Sequence, residues 1–521
     1  MHAPSHLFTL LTISLRPAPN FPTMSAHQPH QEEHELDDGD DAAMLDPAEA
    51  GEEIPDDENA PMESDDDEDP SATLEEIQLQ NDSVAHFDGH KDSIFCISQH
   101  PVHPEIIATG GGDDLGYIID STPPETPVLP ASYQSNPQPQ ERESLKAIYK
   151  LEGHTDSLNA ITFTLPKGQY VVSAGLDGRL RAWQGEPTGR RWKFLAEAQE
   201  VEEINWLAPC PHPSYPNTIA LGANDGSVWI YTVNAADTSS PLTIVQAFYL
   251  HTESCTAGCW TPDGKLLATV SEDSSFYVWD VFGEAAAAGL AEAQGSQSVV
   301  GLTGLDERFR VDGGLYSIAV APNGAFAAVG GREGNIRIVG LPRIGAEQSL
   351  VAGGKGASTK SKVGGSKQAG GPKAASLSAS SQAGQILASL QAGTDNVETI
   401  SFSQPPLTLM AAGNVDGSIS LLDTAHRFAV RRNIPGAHED DQGEQAVVKV
   451  EFVTNTRTGG WLLTSCGYDG VVRRWDARGG TAAAAKGLVG EWRGHRGGGE
   501  GGGIMGFVQG DGKYITTAGD E

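Results

Sequence analysis

The chain has 521 residues and sets 34 Lys and Arg against 70 Asp and Glu, a formal net charge of −36. Such a surplus of carboxylate is repelled by phosphate backbones, which disfavours direct nucleic-acid binding and makes basic proteins the natural partners. No apolar stretch reaches the roughly 18–20 residues a membrane-spanning helix needs, and five scattered cysteines (Cys96, Cys210, Cys255, Cys259, Cys466) suit buried thiols of a reducing compartment better than a disulfide framework.

Residues 1–80 read as a disordered acidic N-terminal region. The apolar run Leu7–Leu15 lacks the positive leader and small-residue cleavage site of a secretion signal, and Met24-Ser25 offers an alternative start. Residues 17–90 hold no Lys or Arg but 24 Asp and Glu, with runs at Asp37–Asp41 and Asp65–Asp69. Few aromatics and no periodicity accompany them, so nothing there can bury a core.

From residue 81 to 521 the pattern changes to a repeat. Val171–Trp183 shows it most clearly: an apolar run, an Asp-Gly turn at Asp177, a second alternating run, and a Trp six residues after the Asp. Aligned turns fall at Asp113, Asp177, Asp225, Asp273, Glu333, Asp416 and Asp469. Six residues later stand Ile119, Trp183, Tyr231, Trp279, Val339, Leu422 and Trp475. His90, His154 and His251 precede their Asp by 22 or 23 residues. Self-similarity at about 40–50 residues, four short strands per copy, marks an all-β β-propeller.

In chain order, Ser83–Phe87 should return to the last blade and close the ring. Flexible inserts are expected near 121–143, 283–301 and 342–389, the last carrying Lys355, Lys360, Lys362, Lys367 and Lys373. Blade five is divergent, with Glu333 at the turn. An eighth copy starts at Gly494-His495, reaches its turn at Asp520 and then stops, so the expectation is eight blades with an incomplete last one and a truncated third strand there.

His154, Ser173, Asp177 and Trp183 are expected to form a buried structural network, because a buried polar group without a partner costs about 1–3 kcal/mol. The same role falls to His251, Thr269 or Ser271, Asp273 and Trp279, to His90 with Asp113, and to Asp225, Asp416, Asp469 and Trp475. A His with a nearby Ser and Asp evokes a hydrolase, yet one active site would not recur blade after blade. Cys255 and Cys259 lack a second ligand pair, Cys210-Pro-His212 reads as a loop, and no phosphate-binding loop appears. No catalytic activity, metal or cofactor is expected. The binding candidates are acids in the loops before the inner strands: Asp92, Asp156, Glu202, Glu203, Glu253, Asp395, Glu398 and Glu444, joined by Glu272 beside a turn. Together they would make an anionic mouth able to pair with Arg and Lys of an extended segment.

The GH…D…W residues, with Trp279-Asp280 and Trp475-Asp476, resemble the WD-repeat family over about residues 83–521. VAHFDGHKDSIFCISQHP, ATGGGDD, LEGHTDSLNAITF, AGLDGRLRAW and SEDSSFYVWD behind an acidic leader are similar to the angio-associated migratory cell protein family and its fungal ribosome-assembly branch. That resemblance implies an eight-bladed, non-enzymatic chaperone in the cytoplasm, and also the nucleus. It would hold the basic N-terminal segment of a newly made, late-joining large-subunit ribosomal protein and escort it to the pre-60S particle. A monomer is expected. The alternative is a generic cytosolic WD-repeat scaffold for signalling or ubiquitin-ligase complexes.

Overall fold

The computed structural model describes residues 10–14, 81–123, 144–290, 298–344, 382–454, 460–478, 487–495, 502–510 and 512–520. The protein is an all-β propeller. Seven four-stranded antiparallel sheets are each built from consecutive strands, the first from Ile94–Gln99, Ile106–Gly111, Gly116–Asp120 and Ala147–Leu151. The inner strands of the other six are Ala160–Phe163, Ile204–Pro209, Cys255–Trp260, Leu315–Val320, Val397–Phe402 and Val447–Phe452. They neighbour one another in that order. The strand Ile504–Val508 then packs between Val447–Phe452 and Ile94–Gln99, so the inner strands form a closed ring without exposed inner edges.

Ile504–Val508 belongs to a further four-stranded sheet, and here the structure departs from the sequence reading. Its order is Ala85–Phe87, Leu10–Ser14, Tyr514–Gly519, Ile504–Val508. The strand position expected to be empty is taken by Leu10–Ser14, antiparallel to both neighbours, with Thr12 opposite Thr516 on one side and Ala85 on the other. The last sheet is therefore not incomplete, and residues 10–14 do not belong to a disordered region. The expected inserts also shrink: Ser298–Leu302 is the outer strand of the fourth sheet and Ile386–Gln391 that of the fifth. The rest of the acidic region, residues 124–143 and the lysines at 355–373 lie outside the described residues.

The repeat spacing works because each conserved offset does a packing job. Ile119, Trp183, Tyr231, Trp279, Val339, Leu422 and Trp475 are all at most 2 % exposed. They sit in clusters that bridge sheets: Trp183 packs with Phe163 and Val171 of its own sheet and Ile106, Ala108 and Ile118 of the one before. A sheet alone could not bury such a face; two stacked sheets can. The Asp-Gly turns need a left-handed residue, supplied by Gly178 at φ 67° and Gly470 at φ 70°. In the first and fourth sheets Asp114 (φ 59°) and Ser274 (φ 60°) adopt it instead.

Seven of the eight inner strands carry a bulge at their second residue, which leaves Phe95, Asn205, Thr256, Tyr316, Glu398, Val448 and Met505 out of the ladder. Bulges re-aim side chains. Here they do so at one end of the ring.

Candidate functional site: the acidic mouth of the ring

The hydrogen-bond networks come first, because they fix the turns that frame the site. His90 bonds Asp113 (3.0 Å) and Thr109 (3.0 Å); His154 bonds Asp177 (3.1 Å) and Ser173 (2.7 Å). In the fourth sheet Nε2 of His251 meets Thr269 (2.8 Å), which also accepts from the Trp279 indole (2.8 Å). Ser275, however, takes Nδ1 (2.6 Å) and holds Asp273 off at 4.0 Å. That hydroxyl stands two residues past the turn acid and reaches the ring first. Asp225 and Asp416 have no histidine; they accept from Ser227 and from Ser418 and Thr394. Glu333 sits at φ 57° in a tight turn.

The seventh sheet holds a network the spacing did not reveal. His438 bonds Asp469 (2.8 Å) and Ser465 (2.7 Å), Trp475 donates to Ser465 (2.8 Å), and Arg473 pairs with both Asp469 and Glu491. A small hairpin, Glu439–Asp440 with Gly443–Glu444, stretches the usual separation of His and Asp to 31 residues.

Burial pushes His154, His251 and His438 below the usual imidazole range, His251 to about 4 from 6.5. Burial would raise Asp177, but the backbone N–H groups of Arg179 and Thr155, together with His154, hold it below the ordinary carboxylate range. Because the folded His251 value lies below the unfolded one, its contribution is fully present above about pH 6.5 and is lost as pH falls towards 4. At about 1.4 kcal/mol per pH unit that is about 3 kcal/mol. The thermal midpoint should therefore fall between pH 7 and 4.5, and His251→Gln should lower it at pH 7 while flattening the acid dependence. Parallel curves for the two proteins would contradict this.

The same local rule then builds the mouth. In all eight sheets, the residue just before the turn acid donates its N–H to the carbonyl just ahead of the inner strand: Gly112 to Ser93, Leu176 to Ser157, Asn224 to Glu203, Glu272 to Ser254, Arg332 to Gly314, Val415 to Asn396, Tyr468 to Ala446 and Asp520 to Gly503. Pre-turn residues and inner-strand loops thus share one end of the ring. Asp92, Asp156 and Asp395 open those loops, each accepting from the next N–H at 2.7–2.8 Å and leaving the carboxylate exposed. Glu202, Glu253 and Glu272 are exposed, and Glu203 is half-buried, at the same level of the third and fourth sheets.

Electrostatics shows which of these acids feel one another. Burial and then the charges of Asp156, Asp113 and Asp177 raise Asp114. Burial and then Asp395 raise Glu398. Burial, followed by Glu272 and then Glu398, raises Tyr316 against the opposing charge of Arg332, and burial, followed by Glu398 and Asp520, raises Tyr468. Glu272, Asp395 and Glu398 therefore converge with Tyr316, Tyr468 and Asp520, while Asp156 converges with Asp114. Glu444 is different: it lies on the hairpin opposite Glu439, exposed and set back from its inner strand.

Asp114, Tyr316, Tyr468 and Asp520 escaped the sequence reading. For Tyr468 and Asp520 the available signal was the pre-turn position, recognised only at Glu272; Asp114 follows its turn acid and Tyr316 sits at an inner-strand bulge, which the spacing does not mark. The repeat spacing puts Asp520 at the turn itself. Thr517 bonds His495 (2.8 Å) as Thr109 bonds His90, and the turn acid follows that hydroxyl residue by four, which makes Asp520 pre-turn and leaves Glu521 outside the described residues. The Ser93 hydroxyl bonds Asp520 and joins the last sheet to the first at the mouth.

Among the described residues no group of three or more His, Cys, Asp and Glu is placed to hold a metal, and no helix is long and apolar enough to cross a membrane. The five cysteines are free thiols; burial pushes Cys210 and Cys466 up to about 12, so neither is a ready nucleophile. His212 bonds Glu284 at 3.0 Å in a loop.

Comparison with known proteins places this architecture. The model of the WD domain, G-beta repeat, matches residues 81–120, 145–184 and 242–280. The crystal structure of Chaetomium thermophilum Sqt1 bound to the N-terminus of the ribosomal protein L10 is 49 % identical, covers 85 % of this chain and 98 % of its own, and superposes with a TM-score of 0.68. The ribosome assembly protein SQT1 of Saccharomyces cerevisiae is 34 % identical over 40 % of this chain, a match that spans 43 % of that relative's length. The human angio-associated migratory cell protein is 24 % identical over 80 % of this chain and 74 % of its own. With half its residues shared with a solved Sqt1 over most of both chains, this chain belongs to the WD-repeat family that holds the Sqt1 ribosome assembly proteins and the angio-associated migratory cell protein.

Proposed function

We propose that the protein is a non-enzymatic chaperone whose acidic mouth holds the basic N-terminal segment of a large-subunit ribosomal protein during ribosome assembly. The observation that carries this reading is the convergence of carboxylates from several sheets at one end of the ring, in a chain 49 % identical to an Sqt1 solved with the L10 N-terminus. A newly made ribosomal protein carries dense positive charge meant for RNA. Carboxylates gathered at the mouth, Glu398 among them at a strand bulge, can neutralise it through charge-assisted bonds, bidentate where the cation is Arg. Transfer to RNA is then an exchange of one anionic partner for another.

In this reading Asp92, Asp156, Glu202, Glu203, Glu253, Glu272, Asp395 and Glu398 contact the client, together with Asp114, Asp520 and the faces of Tyr316 and Tyr468. Glu444 guides its approach from the hairpin. The buried histidine networks maintain the turns. The eight sheets act as eight blades, the residues between Ser14 and Asn81 form a separate acidic region, and the monomer works where the client is made, in the cytoplasm. The test is affinity capture by the full chain from cell extract at moderate salt, read by mass spectrometry. One dominant large-subunit ribosomal protein, retained through its N-terminal segment, is the expected outcome. A spread of signalling or ligase components, with no ribosomal protein enriched, would replace this reading by the scaffold.

A further inference from the structure

Outside the mouth, the most informative feature is the strand that completes the last sheet. Ala85–Phe87 has no direct pairing with Tyr514–Gly519; Leu10–Ser14 lies between them and pairs with both. The other sheets join neighbouring strands through the chain that links them, but residues 15–84 intervene between Leu10–Ser14 and Ala85. This strand is therefore delivered from a distance, at a larger closure entropy than a hairpin incurs. Its sequence, Leu-Leu-Thr-Ile-Ser, is β-prone and free of charge, Gly and Pro.

We propose that Leu10–Ser14 is a donor strand: an exchangeable segment that docks in the slot between Ala85–Phe87 and Tyr514–Gly519 and thereby fixes one side of the mouth. Tyr514–Gly519 carries Thr517, which orders His495, and runs into Asp520, which Ser93 ties to the first sheet. Without the donor, Tyr514–Gly519 keeps a partner on one edge only, Ala85–Phe87 leaves the sheet, and the slot becomes an open edge. Asp520 then loses its fixed place. Recognition is by main-chain pairing, so the occupant is an extended segment of this chain's own N-terminal residues.

Two measurements on the full chain test this without any client, so the outcome is independent of the chaperone reading. Ser14 faces Tyr514 in the register, and facing positions of an antiparallel pair stand about 4.5–5.5 Å apart at Cα, within disulfide range. The S14C/Y514C variant should form an intrachain disulfide under mild oxidation, mapped by peptide mass spectrometry. Separately, L11P/T12P removes N–H donors toward both neighbours, since adjacent strand residues point them opposite ways. Amides of residues 515–518 should then exchange at least tenfold faster, and a synthetic peptide of residues 7–15 added in trans should restore protection. Failure to cross-link, cross-linking between two copies, or protection unchanged in L11P/T12P would each overturn the proposal.

Discussion

Reversing three mouth charges together, with D156K, E253K and E272K, is expected to abolish capture of a basic N-terminal segment while leaving the fold intact. Each side chain is exposed at the end of the ring, and what Glu253 and Glu272 contribute to the fold runs through their backbones: Glu253 accepts from the Ser271 hydroxyl and Glu272 donates to Ser254. Asp156 loses one bond, to the Ser157 N–H. Against that small cost stands the conversion of three attractive charges into repulsive ones in a mouth shared with Asp114 and Glu398. Close interfacial charge pairs couple by about 1.5–7 kcal/mol. Even the lower end, taken over three sites, weakens binding at least 100-fold, since 1.4 kcal/mol is tenfold. Titration of the peptide against both proteins checks the affinity, and melting curves check the fold. Normal binding by a folded triple variant would remove these residues from the site.

The largest loss of stability should come from Asp469→Ala. Its carboxylate is fully buried and is shared by His438, Arg473 and the Val471 N–H. Removing it leaves the Arg473 guanidinium, only 8 % exposed, with Glu491 as its one remaining carboxylate and beside a fully buried imidazole. Breaking a buried pair from one side costs about 3–5 kcal/mol, because the remaining charge keeps its desolvation penalty. Asp416→Ala is the comparison. Asp416 accepts only from Thr394 and Ser418, so about 1–2 kcal/mol is expected there. Thermal midpoints of the two variants check the order. Equal losses would mean that Arg473 finds other compensation and that the His438 network adds nothing to an ordinary turn acid.

How far the sequence could be read follows from how local each feature is. The Asp-to-aromatic spacing was legible because turn, strand and buried ring all fall within seven residues, as at Asp177 and Trp183. His438 was hidden because the Glu439–Glu444 hairpin displaced it from its usual distance. Ser275 was missed because a hydroxyl two residues past the turn reaches His251 before Asp273 does. The carboxylates of the loops were visible as composition; their convergence was not. Tyr316 and Glu398 are directed to the mouth by bulges, and a bulge is a property of the pairing rather than of a residue pattern. Asp520 was misplaced by one residue for want of a following strand to count from. Leu10–Ser14 lay furthest from reach, since its partners are close to 75 and 505 residues away along the chain.

The central claim is that charge at the mouth captures a basic, extended segment. The most direct measurement is fluorescence anisotropy of a labelled N-terminal peptide of ribosomal protein L10 titrated with the full chain across a salt series. Screening lengths fall from about 10 Å at 0.1 M salt to about 3 Å at 1 M. Affinity should drop steeply over that range, and a peptide with its Arg and Lys replaced by Gln should fail to bind even at low salt. Salt-independent binding, or equal binding of the neutral peptide, would contradict the electrostatic mouth.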